Sequence, residues 1–95
     1  MKYGFSHNGF AVHPLAQQFG IVLRRRREAA EVSQEALAAD AGLHRTYISM
    51  LERGVRMPSI LVVRQVAEAL GTTMGELLTE VDKEPLPQTK KKPKR

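Results

Sequence analysis

The sequence predicts an all-α fold of five short helices, and three observations carry that prediction. Between Leu15 and Val81 apolar residues recur three and four positions apart, which lines up one face of a helix. Capping residues and glycines break that pattern into short segments: Ser33, Gly42, Gly54, Ser59, Gly71 and Thr73. No segment of this zone alternates apolar and polar residues as a half-buried strand does.

The first helix is expected over residues 15–30, where Leu15, Phe19, Val22, Leu23 and Ala30 fall at helical spacing. Four consecutive arginines, 24–27, lie inside it. Successive helical residues are about 100° apart, so these four cannot share a face. Arg27 follows Leu23 by four and falls on the apolar stripe, whereas Arg24, Arg25 and Arg26 read as a solvated face with occasional phosphate contact. Ser33 is a good N-cap for a second helix over 34–41, stopped by Gly42. A third, 44–53, carries Ile48, Leu51 and Glu52 on one side and ends at Gly54. Pro58 and Ser59 open a fourth, whose expected buried side is Ile60, Val63, Val66, Ala67 and Leu70. Thr73 and Glu76 have capping-box spacing before a fifth helix whose inner residues are Leu77, Leu78 and Val81.

Ninety-five residues suffice for one domain. Cysteine is absent, so neither a disulfide framework nor a thiolate metal site is available, and a reducing compartment is expected. His7, His13 and His44 have no metal-ligand spacing, and no nucleophile motif, phosphate loop or acid–base pair is visible, so neither an enzyme nor a cofactor is expected. No small-molecule ligand is evident, and so short a chain leaves no room for a sensing module. Nothing resembles a signal peptide or an apolar run of the roughly 20 residues that a membrane span needs. The net charge of +5 is unevenly placed, because the terminal KKKPKR supplies five positive charges and residues 1–89 sum to zero. A basic end of this kind adds salt-sensitive attraction to phosphates, and it also has the look of a nuclear-import sequence.

Residues 34–53 combine a small Ala38, a turn glycine at Gly42 and apolar Ile48 and Leu51, the sequence form of a helix-turn-helix. An ordinary helical hairpin requires neither this spacing nor so polar an outer face. With Ile48 inward, Thr46, Ser49, Met50 and Arg53 point outward, and Arg45 projects from the first turn of the third helix. Arg45 is the strongest candidate base reader, since a guanidinium can bond both O6 and N7 of guanine for roughly 1–3 kcal/mol of discrimination. Its alternative is a phosphate clamp or a solvated charge. Thr46 can bond a base or touch a thymine methyl, while Met50 offers apolar contact or simple filling. Arg53 and Arg56 follow the helix and can hold phosphates. Arg27 and Glu52 each fall on an inward side, where an unpaired charge costs several kcal/mol, so they are expected to pair with one another.

The run SQEALAADAGLHRTYISMLERGVRMPS, together with the helix order, resembles the Cro/C1 (XRE) class of phage-repressor-like DNA-binding domains over about residues 20–78. That resemblance implies a five-helix, lambda-repressor-like domain; composition sets its bounds at 15–81, between an N-terminal arm at 1–14, expected to be flexible, and a basic tail at 82–95, expected to be disordered. The resemblance implies that the third helix enters the major groove and that Gln34 anchors a phosphate. It also implies hydroxyl contacts from Tyr47 and Ser49, with core packing of the Tyr47 ring as the alternative, and the same Arg27–Glu52 pair. His44 departs from the pattern, standing where the class commonly has Ser or Thr. The run HRTYIS followed by ERGVR further resembles the controller proteins of restriction-modification systems.

The expected function is that of a cytoplasmic transcriptional regulator of bacterial or phage type, binding double-stranded DNA and associating with the nucleoid when bound. One recognition helix reads few base pairs, so a homodimer on a near-palindromic operator is expected, with half-sites roughly 34 Å apart. Leu61 and Val62, on the outer side of the fourth helix, are candidates for its seam, and the head bearing Tyr3, Phe5 and Phe10 is a second candidate. The rival readings are a protein-interaction adaptor and an antitoxin-type partner on the same fold. RNA binding is weaker, because no sheet is expected to carry stacking aromatics.

Overall fold

Capping chemistry fixes where four of the five helices start. In the computed structural model, which describes residues 13–87, α1 (Pro14–Ala29) opens with Pro14, whose missing N–H costs nothing there, while His13 Nδ1 accepts the Leu15 N–H at 2.9 Å. Ser33 caps α2 (Gln34–Ala41) by accepting from Ala36 N, and Ser59 caps α4 (Ile60–Ala69) by accepting from Val62 N. At α5 (Met74–Lys83) Thr73 accepts from Glu76 N, but the Glu76 carboxylate takes the Thr72 hydroxyl, so the box is only half formed. The intervening α3 (Arg45–Glu52) is preceded by His44 in the N-cap position, which makes no side-chain cap bond. Among the described residues there is no strand. Tyr3, Phe5, Phe10, His7 and the KKKPKR tail lie outside them.

The five helices wrap one core of Phe19, Val22, Leu23, Leu37, Ala38, Ala41, Ile48, Leu51, Val63, Val66, Ala67, Leu77 and Val81. Helix α1 packs against α3 and α5, α2 against α3 and α4, and α4 against α5. The turn between α2 and α3 is tight because Gly42 takes φ +74°, a left-handed conformation that costs a glycine nothing. Gly20 sets a second close approach. A Cβ on it would fall on the carbonyl oxygen of Leu51 and within 2.7 Å of that of Glu52. The C-terminal turn of α3 therefore rests directly on the backbone of α1.

Several residues expected inside are outside. Ile60 is 66% exposed, because as the first residue of α4 it projects beyond the neighbouring helices. Leu15, in the first turn of α1, and Leu78 are also exposed. Conversely, Val62 is half-buried and packs against the core, leaving Leu61 as the exposed member of that pair.

The arginine run differs most from its sequence reading. Arg24 bonds Glu28 one turn on at 3.0 Å. Arg25 donates to both Glu80 and Glu84, and Arg26 to Glu80 at 2.6 Å. Arg24 and Arg25 are exposed as read, but all three arginines are partnered, and Arg25 and Arg26 clamp α1 to α5 and the residue after it. Gln18 Nε2 adds a bond to the Glu84 carbonyl.

Candidate nucleic-acid interface

The site begins with a buried carboxylate. Glu52 closes α3 on its inner side with its side chain 3% exposed, and Arg27 of α1 meets it through Nε at 2.6 Å and Nη2 at 3.1 Å. Two parallel bonds of this kind are the strong geometry for a guanidinium and a carboxylate. Bonding to Glu52 is the largest influence on Arg27 and raises its pKa above the ordinary arginine value, outweighing its desolvation. Arg27 Nη1 also donates to the Val32 carbonyl at 2.8 Å, tying the turn before α2 to the same point. A third donor reaches Glu52 from α2, since Gln34 Nε2 bonds its Oε1 at 3.0 Å. One carboxylate thereby joins α1, α2 and α3.

That junction, with Ile48 and Leu51 fully buried, fixes which face of α3 is presented. His44, Arg45, Thr46, Arg53 and Arg56 are exposed. Ser49 and Met50 are half-buried, so they stand at the flank of the face and not at its centre. Tyr47 is half-buried and packs against the core. Gln34 is half-buried at the first turn of α2, held by Glu52. The exposed positions span the start of α3 and the loop after it, giving three guanidiniums, those of Arg45, Arg53 and Arg56, around one short polar helix.

Two contacts at this face carry no signal in sequence periodicity. Arg45 Nε lies 3.6 Å from Glu35 Oε2 across the α2–α3 turn, both side chains being exposed. Gln65 of α4 donates to the Ala41 carbonyl at 3.1 Å, supporting the end of α2 from behind. No group of His, Cys, Asp and Glu able to hold a metal ion occurs among the described residues.

Two short helices joined at a glycine, the second locked on its inner side by Ile48, Leu51 and Glu52 and polar on its outer side, define a helix-turn-helix of the kind that presents a helix to a groove. The chain belongs to the helix-turn-helix family, whose model matches residues 23–77, and within it to the Cro/C1 (XRE) class. Control protein C.MunI of Mycoplasma sp is 38% identical over 68 residues, 70% of this chain and 92% of that protein. The restriction-modification controller protein C.AhdI of Aeromonas hydrophila is similar in structure, with a TM-score of 0.66 and 38% identity over 68% of this chain and 98% of that one. The controller C.Esp1396I, solved bound to a 19-base-pair DNA duplex, gives a TM-score of 0.68 at 28% identity, covering 74% of this chain and 93% of that one.

Proposed function

We propose that this chain is a sequence-specific, double-stranded-DNA-binding transcriptional regulator that acts as a homodimer on a near-palindromic operator, with residues 44–53 in the major groove. The observation that carries the reading is the exposed Arg45 and Thr46 at the start of a helix whose other side is locked by Ile48, Leu51 and Glu52. Family membership supports it, as do the controller proteins among its relatives, whose names describe regulators and not enzymes. Arg45 reads a guanine edge and Thr46 a neighbouring base. Arg53, Arg56 and the Gln34 amide hold phosphates, with the Tyr47 and Ser49 hydroxyls and the Met50 thioether completing the flank and His44 at the helix entrance.

The homodimer is supported by a cluster of exposed apolar side chains, Leu15, Met57, Ile60 and Leu78, around one groove, with Leu61 beside it. Such a cluster is costly to leave in water. Selection of bound sequences from a random duplex pool tests the whole reading. Paired half-sites one helical turn apart are expected, and Arg45→Ala should lower affinity for the selected duplex by about 5- to 150-fold. Absence of any binding by the chain lacking residues 90–95, in moderate salt, would favour an adaptor instead.

A further inference from the structure

We propose that Glu35 is a positioning residue for base reading: its carboxylate steers the Arg45 guanidinium so that the two terminal nitrogens are offered to a guanine edge. The inference rests on the reading of Arg45 as a base reader. Glu35 lies in the first turn of α2 and Arg45 in the first turn of α3, on opposite sides of the Gly42 turn, and the pair meets at Glu35 Oε2 and Arg45 Nε. A guanidinium has two forks, one along Nε and Nη2 and one across Nη1 and Nη2. The Glu35 carboxylate, 3.6 Å from Nε and outside hydrogen-bond distance in the free protein, lies on the side of the first fork and leaves the second, end-on, for O6 and N7.

Fold stability gives no reason for this pair. Glu35 is 74% and Arg45 55% exposed, and an exposed pair of that kind contributes little. A carboxylate on a face that approaches phosphates also weakens attraction to every sequence alike. Its presence beside the reading arginine is explained by discrimination, which is a difference of affinities and improves when binding to the wrong site falls further than binding to the right one. Docking strengthens the effect, because water excluded from the groove leaves the Glu35–Arg45 attraction less screened than in the free protein. The preference for Nε over the terminal nitrogens is then imposed where the base is read.

The test uses the full chain, the duplex that it selects from a random pool, the same duplex with 7-deazaguanine at each guanine in turn, and a random duplex. The wild type should show a penalty of roughly 5- to 100-fold at one guanine per half-site, from loss of the N7 acceptor. Arg45→Ala should abolish that penalty; if it does not, the base-reader reading fails and this inference falls with it. Given that loss, Glu35→Gln should shrink the penalty at the same guanine at least threefold while binding random DNA more tightly. Glu35→Asp keeps the charge but withdraws the carboxylate by one methylene, and it should also shrink the penalty without the gain on random DNA. A penalty left intact in both variants overturns the proposal, even where Glu35→Gln binds random DNA more tightly, since a bare surface charge would do that much. Thermal unfolding of both variants should match the wild type, as expected for so exposed a side chain.

Discussion

Glu52 receives three side-chain hydrogen bonds, two from Arg27 and one from Gln34. Truncating it leaves a half-buried guanidinium without its partner. Glu52→Ala should therefore cost about 3–5 kcal/mol, measured by denaturant unfolding, and the loss should precede any selective loss of DNA binding. The inward positions of Arg27 and Glu52 were legible because helical phase is legible: each lies a whole turn from an apolar residue of its own helix. The third donor was not. Gln34 belongs to another helix, and the direction in which its amide turns depends on how α2 crosses α3, which no spacing encodes. The same is true of Glu35, which reads as an ordinary first-turn acid until the fold brings it to Arg45.

Helix order, the caps at Ser33, Ser59 and Thr73 and the turn at Gly42 were readable because each is a local event between residues at most four apart. Contacts between elements were less so. Gly20 carries no helix start or stop signal, but it is where α1 touches the last carbonyls of α3. Gly20→Ala should force the two helices apart and destabilise the protein by about 3 kcal/mol, the top of the overpacking range, with thermal unfolding as the measurement. The partners of Arg25 and Arg26 were hidden for a similar reason, since Glu80 on α5 and Glu84 just after it lie 54 to 59 residues away in sequence. Glu80 has its pKa lowered, first by its bond to Arg26 and then by Arg25, against the opposing effect of desolvation. A lowered folded-state pKa means that the stabilisation is complete above the ordinary glutamate value of 4.5 and is lost as pH falls through the lowered one. Glu80→Gln should accordingly be less stable than the wild type at neutral pH, with a shallower loss of stability below about pH 4.5, read from unfolding midpoints across an acid series.

For the whole molecule, charge separates into an outer and an inner account. Residues 1–89 carry equal numbers of basic and acidic side chains, and the terminal six residues carry the excess. Removing residues 90–95 should reduce the salt dependence of random-DNA binding by up to about 4 units in the slope of log affinity against log salt. The ranking of selected over altered duplexes should stay unchanged, as measured by competition binding. The exposed cluster of Leu15, Met57, Ile60 and Leu78 was half hidden from the sequence, because Leu15, Ile60 and Leu78 sit in helical phase with the core and differ only in standing beyond its edge. Periodicity reports the angle around a helix and is silent on what lies opposite its end.

The contrast between the two inter-helix clamps has a practical consequence for ionic strength. The pairs holding α1 to α5 are partly exposed, whereas the pair holding α1 to α3 is nearly dry. Mobile ions screen over roughly 10 Å at 0.1 M and 3 Å at 1 M, and they act on charges that they can surround. Concentrated electrolyte will slacken the far end of α5 while the presented helix keeps its seat. A salt titration of this protein on DNA therefore reads the ions displaced from the duplex and the screening of the exposed Glu35–Arg45 pair, while the seat of the presented helix stays constant.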